Sequence, residues 1–347
     1  MRPRTRGFLR SARAVCAPRA ARLAAILATL PALTLSAVLL TGCINVALSS
    51  KKPFKYYELG GTGEAVVYLM RIDGIITTES SIQGVITGHT VPGTVEQVRF
   101  QLDRLVADNV RPAGLIVRVN SPGGTVTASD IVYHELTEFK RRHRIPVVAL
   151  MMDMATSGGY YVSMAADSIV AHPTTTTGSL GVIMPAYNIA RFMERYGVED
   201  RSVTSGPLKD LHSPTRPVRS EHTAVVQSVV DDLYERFLQV VQEGRGDRLK
   251  SPLRTLADGR IYTANQALAA GLVDRVGYYE DALEEMKRLT GLADFRVITL
   301  AIEPDVGEVN VYMAEAGRTR ARPSVAASLL GLENPPMAPF YYLWLPQ

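Results

Sequence analysis

The central part of the chain alternates between short apolar runs and longer segments whose apolar residues recur at helical spacing. Runs rich in β-branched residues predict strands at 65–76, 113–119 and 146–152. Between them, apolar residues three or four positions apart predict amphipathic helices at about 94–108 and 127–142. Strands that alternate with helices in this way predict an α/β fold with right-handed βαβ units and a largely parallel sheet covered on both faces.

The pattern continues to about residue 290. Further helices are predicted at 159–166, 220–243, 264–270 and 281–289, and a further strand at 168–171. The longest helix, 220–243, carries apolar residues on one face and charged residues on the other, so we expect it to contact the core or another subunit.

The domain limits follow from where this periodicity begins and ends. Residues 43–64 lack it and are predicted to be a tether, and 65–300 form the predicted folded domain. Residues 301–347 are a predicted C-terminal extension that ends in PPMAPFYYLWLPQ. The prolines and aromatic residues of this tail either cover an apolar patch or lie in a substrate groove as an autoinhibitor or self-cleavage site.

The first 42 residues have the pattern of a signal peptide. They contain seven arginines, the last at position 22, and no acidic residue. Residues 23–40 are uncharged, and the sequence LTGC follows at 40–43 and ends at Cys43. LTGC resembles the bacterial lipobox, which implies cleavage of 1–42 and lipidation of Cys43. The alternative is an uncleaved anchor helix with an incidental cysteine. Either interpretation predicts an exported domain at a bacterial cell envelope membrane, on the non-cytoplasmic side.

Removal of this segment changes the charge of the protein. The whole chain has net charge +4, but without the seven arginines 31 basic residues face 34 acidic ones, a net charge of −3. The basic isoelectric point therefore gives no indication of nucleic-acid binding. Cys16 is removed with the signal and Cys43 would be lipidated, so no disulfide, zinc site or thiol nucleophile is expected. No residue pattern calls for a metal or organic cofactor.

Two glycine pairs follow predicted strands, in NSPGG and TSGG. Reacting groups gather at the carboxyl ends of strands in α/β sheets, and glycine lets a backbone amide approach a ligand oxygen closely. The amides of Gly124 and Gly158 are the natural pair for an oxyanion hole. Ser157 precedes Gly158 and is the candidate nucleophile.

A serine nucleophile needs a base. His172 is the one histidine near the predicted strand ends, and its place between a strand and a proline favours a structural role. Lys209, in the glycine- and proline-bounded TSGPLKD, is the other available base, although a single lysine is usually a solvated surface charge.

The motifs NSPGG, ATSGGYYVSMAAD, TTTGSLGV and SGPLKD, followed by ADGRIYTANQALAAGLVDRVG, resemble the signal peptide peptidase A (SppA) family in its short, single-repeat form. The resemblance covers about residues 65–290. It implies a Clp protease/crotonase-like fold of repeated ββα units with stacked, largely parallel sheets. It also implies a Ser–Lys dyad that hydrolyses peptide bonds.

The resemblance assigns roles to individual residues. Ser157 would be the nucleophile, Lys209 the general base, and Ser179 the group that orients the lysine. The oxyanion hole would be formed by the backbone of Gly124 and Gly158. The family also implies a ring- or dome-shaped homo-oligomer in which Ser and Lys of one site come from neighbouring subunits.

Three functions remain open from the sequence. The first is a membrane-tethered serine endopeptidase that cuts remnant signal peptides or other membrane-associated peptides. The second is a crotonase-like acyl-CoA enzyme, which uses paired oxyanion amides but leaves Ser157 and Lys209 without a role. The third is a non-catalytic envelope lipoprotein that serves as a scaffold. Two departures from the family are the lipobox in place of its usual transmembrane helix and the Pro207–Leu208 pair beside the lysine.

Overall fold

A computed structural model of the protein describes residues 54–83, 89–302, 309–312 and 341–343. The strands found there are β1 Phe54–Gly60, β2 Val66–Asp73, β3 Ser81–Gln83, β4 His89–Val91, β5 Gly114–Ser121, β6 Gly123–Thr125, β7 Val147–Thr156, β8 Ser168–Ala171, β9 Thr176–Gly178, β10 Ile261–Thr263, β11 Arg275–Val276, β12 Arg296–Ile302 and β13 Tyr341–Leu343.

The α-helices are α1 Thr94–Ala107, α2 Val126–His143, α3 Gly158–Ser163, α4 Ala190–Arg195, α5 Ser220–Arg245, α6 Leu253–Leu256, α7 Ala264–Ala270 and α8 Tyr279–Thr290. Each predicted helix is present, with ends that differ from the prediction by at most three residues.

The main sheet has nine strands, and seven of them follow the order β1-β12-β2-β5-β7-β8-β11. All neighbours from β12 to β11 in this order are parallel. β8 pairs with the first half of β7, and β9 pairs parallel with its end. The predicted α/β fold with a largely parallel sheet is therefore confirmed.

The central strands are buried because helices cover both faces of the sheet. β5 and β7 read as nearly continuous apolar runs, as strands with two covered faces do. Alternate residues of each strand belong to two separate apolar clusters. One cluster includes side chains of α1, α2, α3 and α5, and the other includes side chains of α8.

β5, β6 and α2 form one ββα unit of the predicted kind. After Ser121 the chain turns out of the main sheet, and β6 pairs antiparallel with β13 in a separate two-stranded sheet. The side chain of Thr125 caps α2 by accepting a hydrogen bond from the amide of Ala128. This cap fixes the start of the helix directly after the glycine pair.

One domain limit needs correction. Residues 54–60, assigned above to the tether, form β1, an edge strand antiparallel to β12. Tyr56 packs against the core and donates a hydrogen bond to Asp108 over 3.0 Å. The strand pattern is weak in the sequence because most side chains of an edge strand face solvent, and Lys55 and Glu58 interrupt the apolar residues.

A buried ion pair connects the end of α5 to the sheet. Both Nη atoms of Arg245 donate to the carboxylate of Asp274, over 2.8 and 2.9 Å, and Nε donates to the carbonyl of Gly271. Asp274 also accepts the amide of Ile169 in β8. Burial alone would raise the pKa of Asp274, but the bonds from Arg245 hold that pKa below its usual value.

The predicted signal peptide and Cys43 lie outside the described residues. Among the residues that the structure does describe, none of the helices has the length and apolar character needed to cross a membrane.

Candidate active site

Ser157 occupies a sharp turn between β7 and α3. Its backbone has φ +53° and ψ −115°, a conformation that a residue with a side chain adopts only when its surroundings enforce it. Its amide donates to the carbonyl of Gly178 over 2.7 Å, and its carbonyl accepts the amide of Tyr161 over 2.8 Å. Strand-to-helix turns of this type carry the nucleophile of many hydrolases. The residue is 1% exposed.

The two predicted oxyanion glycines lie side by side. A Cβ added to Gly158 would lie 3.0 Å from the amide nitrogen of Gly124 and 2.5 Å from Oγ of Ser129. A Cβ added to Gly124 would lie 1.9 Å from the carbonyl oxygen of Ile76. Neither position can accept a side chain without displacing its neighbours, so the close approach of the two backbones requires glycine at both.

Two further serines hold the glycine turn in place. Oγ of Ser121 donates to the carbonyl of Gly74 over 2.6 Å and accepts the amide of Gly123 over 3.1 Å. Oγ of Ser129 donates to the carbonyl of Thr125 over 2.9 Å. Neither role is predicted from the sequence. Ser121 is part of the NSPGG motif, but nothing in the sequence indicates that Ser129 contacts that motif.

Ser179 lies beside Ser157 on the neighbouring strand. β9 ends at Gly178, which is paired with Thr156, so each serine directly follows one member of that pair. Ser179 also has a positive φ, +52°, and its amide donates to the carbonyl of Arg260 over 2.7 Å. The structure therefore brings together Ser157, Ser179 and both glycines.

Lys209 is not brought to this group within one chain. It lies exposed on a loop, and no hydrogen bond joins it to Ser157 or Ser179 among the described residues. Its backbone amide donates to the carbonyl of Gly206 over 3.2 Å, which closes a turn. The candidate nucleophile is thus buried at the carboxyl end of β7, and the candidate base faces solvent.

Ion pairs fasten the loop that carries Lys209. The carboxylate of Asp210 accepts hydrogen bonds from Nη1 of Arg216 over 2.6 Å and from Nη2 of Arg219 over 3.3 Å. The hydrogen bond from Arg216 is the main cause that lowers the pKa of Asp210. Arg219 also donates to the carbonyl of Pro207 and contacts His222. A cavity of about 470 Å³ lies against these groups.

Residues 341–343 of the C-terminal tail pair with β6, the strand that contains Gly124. β13 runs antiparallel to β6, with Tyr342 opposite Gly124 and Leu343 opposite Gly123. It also lies against α2 and α3, the helices that begin after Thr125 and Ser157. The structure thus places this part of the tail beside Gly124, and the role of the tail stays a prediction.

The other sequence candidates have structural surroundings. Nδ1 of His172 lies 2.8 Å from Oγ1 of Thr174, and its ring stands edge-on to Tyr278 at a centroid distance of 4.9 Å. These contacts agree with the structural role expected for His172. Over the described part of the chain, no group of three or more His, Cys, Asp or Glu residues is placed to hold a metal ion.

Comparison with known proteins gives consistent results. The model of peptidase family S49 matches residues 139–293. The chain is 40% identical over 224 residues to the Enterococcus faecium protein named "Putative signal peptide peptidase SppA", covering 63% of this chain and 64% of that protein. The chain thus spans just under two thirds of that relative's length.

A second relative is covered more completely. The chain is 38% identical over 218 residues to the Synechocystis protein named "Putative protease slr0021", covering 63% of this chain and 77% of the relative. Among solved structures, a variant of the 1510-N membrane-bound stomatin-specific protease matches with 15% identity and a TM-score of 0.41. The match covers 65% of this chain and 86% of the chain of that protease.

The close approach of the two glycines can be tested by substitution. Gly158→Ala places a methyl group against Ser129 and the amide of Gly124, so we expect cleavage of a fluorogenic apolar peptide to fall about 100-fold. The control is Gly291→Ala, directly after α8, where φ is +71° but a Cβ meets nothing within 4 Å. The control should lose some stability and keep its activity. Equal activities of the two variants would contradict the assignment of Gly158.

Proposed function

Because this chain belongs to peptidase family S49 and so contains a serine peptidase domain, we propose that it is a membrane-tethered endopeptidase with a Ser–Lys dyad. Its substrates are remnant signal peptides or other membrane-associated peptides. The observation that carries the proposal is the strained, buried Ser157 with the amides of Gly124 and Gly158 beside it. A crotonase-like enzyme would have the paired amides but no use for a serine at this turn.

The proposed reaction uses each of these groups in turn. The neutral amine of Lys209 takes the proton of Ser157 as Oγ attacks the peptide carbonyl. The amides of Gly124 and Gly158 donate to the oxyanion, and each such donor contributes about 10²–10³ in kcat. The lysine then protonates the leaving amine, which gives an acyl-enzyme. Water, deprotonated by the same amine, hydrolyses the ester, and Ser157 regains its proton. Ser179 orients the lysine.

Two observations support a site shared between subunits. Lys209 lies exposed in its own chain, whereas Ser157 is buried. The surrounding segment also exposes many large apolar side chains, with Val203 at 98% and Tyr187 at 86% exposure. The others are Ile183, Ile189, Phe192, Tyr196, Val198 and Val218. Apolar surface concentrated in this way is typical of a protein interface, and a second copy seated on it would bring Lys209 to a neighbouring serine.

The position of β13 supports the proposed mode of substrate binding. Its backbone pairs with β6 directly beside Gly124, which is what a peptide substrate must do to place its carbonyl against the oxyanion amides. Extended binding of this kind accepts varied sequences, because the backbone supplies the hydrogen bonds. We propose that substrates add to β6 as an antiparallel strand and compete with the tail for it.

The proposed localisation rests on the sequence alone. Cleavage before Cys43 and its lipidation would anchor the domain to a bacterial cell envelope membrane on the non-cytoplasmic side. Ile44 follows the cysteine in place of the aspartate that commonly retains lipoproteins at the inner membrane, which favours the outer membrane.

The dyad and the shared site are tested together by mixing variants. Ser157→Ala and Lys209→Ala should each lose at least about 10³-fold in hydrolysis of a fluorogenic apolar peptide. Subunits of the two inactive variants, dissociated and reassembled together, should recover activity, since a site between them can take its serine from one and its lysine from the other. Each variant reassembled alone is the control.

Different failures of this experiment identify different errors. Activity that survives in Lys209→Ala would disprove the dyad. Inactive mixtures of correctly assembled subunits would show that each chain completes its own site. An assembled but inactive wild type would favour the scaffold function.

Competition by the tail is tested at Tyr342. Tyr342→Pro removes a backbone amide from β13 and blocks regular pairing with Gly124, whereas Tyr342→Ala removes the side chain alone. We expect the proline variant to exceed the alanine variant in kcat/KM by about fivefold or more, through a lower KM, because substrate no longer displaces a paired strand. Identical KM values would place the tail outside the substrate groove.

Lipidation is tested by mass spectrometry of the full chain expressed in a bacterium. The wild type should begin at Cys43 and carry the mass of an acylated diacylglyceryl group, and Cys43→Ser should remain uncleaved. An unmodified mature N-terminus in the wild type would contradict the lipid anchor.

A further inference from the structure

The residue after the proposed base is an aspartate, which creates an electrostatic difficulty. A lysine accepts a proton from serine only when it is neutral, and a nearby carboxylate stabilises the charged ammonium form instead. Asp210 directly follows Lys209, and its side chain is 15% exposed. Left unpaired, this carboxylate would favour the charged form of an amine beside it.

The structure pairs Asp210 with cations on both of its oxygens. Arg216 donates to Oδ2 and Arg219 to Oδ1, and the ring nitrogen Nε2 of His222 lies 3.9 Å from Oδ1. The remaining charge on this network is Asp200, which accepts Nε of Arg216 over 3.2 Å. The carboxylates and guanidinium groups therefore balance, two against two.

The same arginines hold the backbone on which Lys209 stands. Arg219, just before the first residue of α5, binds the carbonyl of Pro207 on one side of the lysine and the carboxylate of Asp210 on the other. Arg216 extends the clamp to residues 200–202 by binding Asp200 and the carbonyl of Ser202. A loop without regular secondary structure is fixed in this way at both flanks of its exposed lysine.

We propose that Arg219 and Arg216 are positioning residues that neutralise Asp210 and hold the Lys209 loop, so that the amine next to a carboxylate is available as a base. This inference rests on the proposed role of Lys209. The side chain of Lys209 has no hydrogen bond or ion pair to a described residue. The charge next to it in sequence, Asp210, is the one that this clamp balances. His212 and Tyr187 are further titratable residues that line the same cavity.

The test is the pH dependence of kcat/KM for the assembled full chain with a fluorogenic apolar peptide. Arg219→Gln keeps a hydrogen-bond donor and removes the charge, so the midpoint of the rise of kcat/KM with pH should move up by about one pH unit. The double variant Arg219→Gln/Asp210→Asn removes the carboxylate of residue 210 as well, and its midpoint should return to the wild-type value. Arg201→Gln, which breaks an exposed pair with Glu199 in the same segment, is the matched control and should not move it.

A purely structural clamp gives a different result. It would lower kcat/KM equally at every pH with the midpoint unmoved, or the double variant would fail to restore the midpoint. Either outcome overturns the proposal.

A second measurement separates this inference from the proposed function. The rate at which Lys209 is reductively methylated, followed by mass spectrometry as pH is varied in the Ser157→Ala background, reports the pKa of the amine without any catalysis. We expect the same upward shift in Arg219→Gln and the same reversal in the double variant. If the wild type hydrolyses no peptide and the methylation midpoints move as stated, the peptidase function is wrong and the electrostatic inference stands. Unmoved methylation midpoints refute the inference whatever the activity.

Discussion

The site depends on the parallel pairing of β5, β7 and β9. Neighbouring parallel strands have their carboxyl ends on the same side of a sheet, so the chain segments that leave them lie next to each other there. On this side the turn after β5 supplies Gly124, and the turn after β7 supplies Ser157 and Gly158. The backbones can approach only because neither glycine carries a Cβ, and the strained conformation of Ser157 persists because β9 and α3 hold its amide and carbonyl.

The two halves of the proposed dyad stand on very different supports. Ser157 is buried at the end of a long central strand, where close packing leaves few alternatives to its conformation. Lys209 lies on an exposed loop whose shape depends on ion pairs with Asp200 and Asp210. Charges in a partly exposed network respond to pH, salt and partner binding more readily than packed side chains do. The rigid half of the proposed dyad is thus Ser157, and the adjustable half is Lys209.

The sequence predicted the parts of the molecule whose signal is local. The central strands are recognised as apolar runs, and the amphipathic helices by apolar residues three or four positions apart. The glycine pairs and Ser157 directly follow the ends of predicted strands. The edge strand β1 and the short strands β10 and β13 are not predicted, since exposed or three-residue strands carry little apolar alternation. Strand β12, which lies between β1 and β2, is not predicted either. Ser129 and the arginine clamp were also missed, because they reach their partners by tertiary contact between segments that have no shared periodicity. The role of Lys209 is predicted from the family resemblance alone, since no hydrogen bond in the described part of the chain joins it to the serine.

The strand β1 sets the length of the proposed membrane attachment. The first described strand begins at Phe54, and ten residues separate it from Cys43. A fully extended chain of that length spans at most about 40 Å, roughly the thickness of one bilayer. A lipid-anchored domain with so short a connection would work within that distance of the membrane surface. It would reach peptides that lie in or on that membrane and leave those in the wider aqueous compartment untouched.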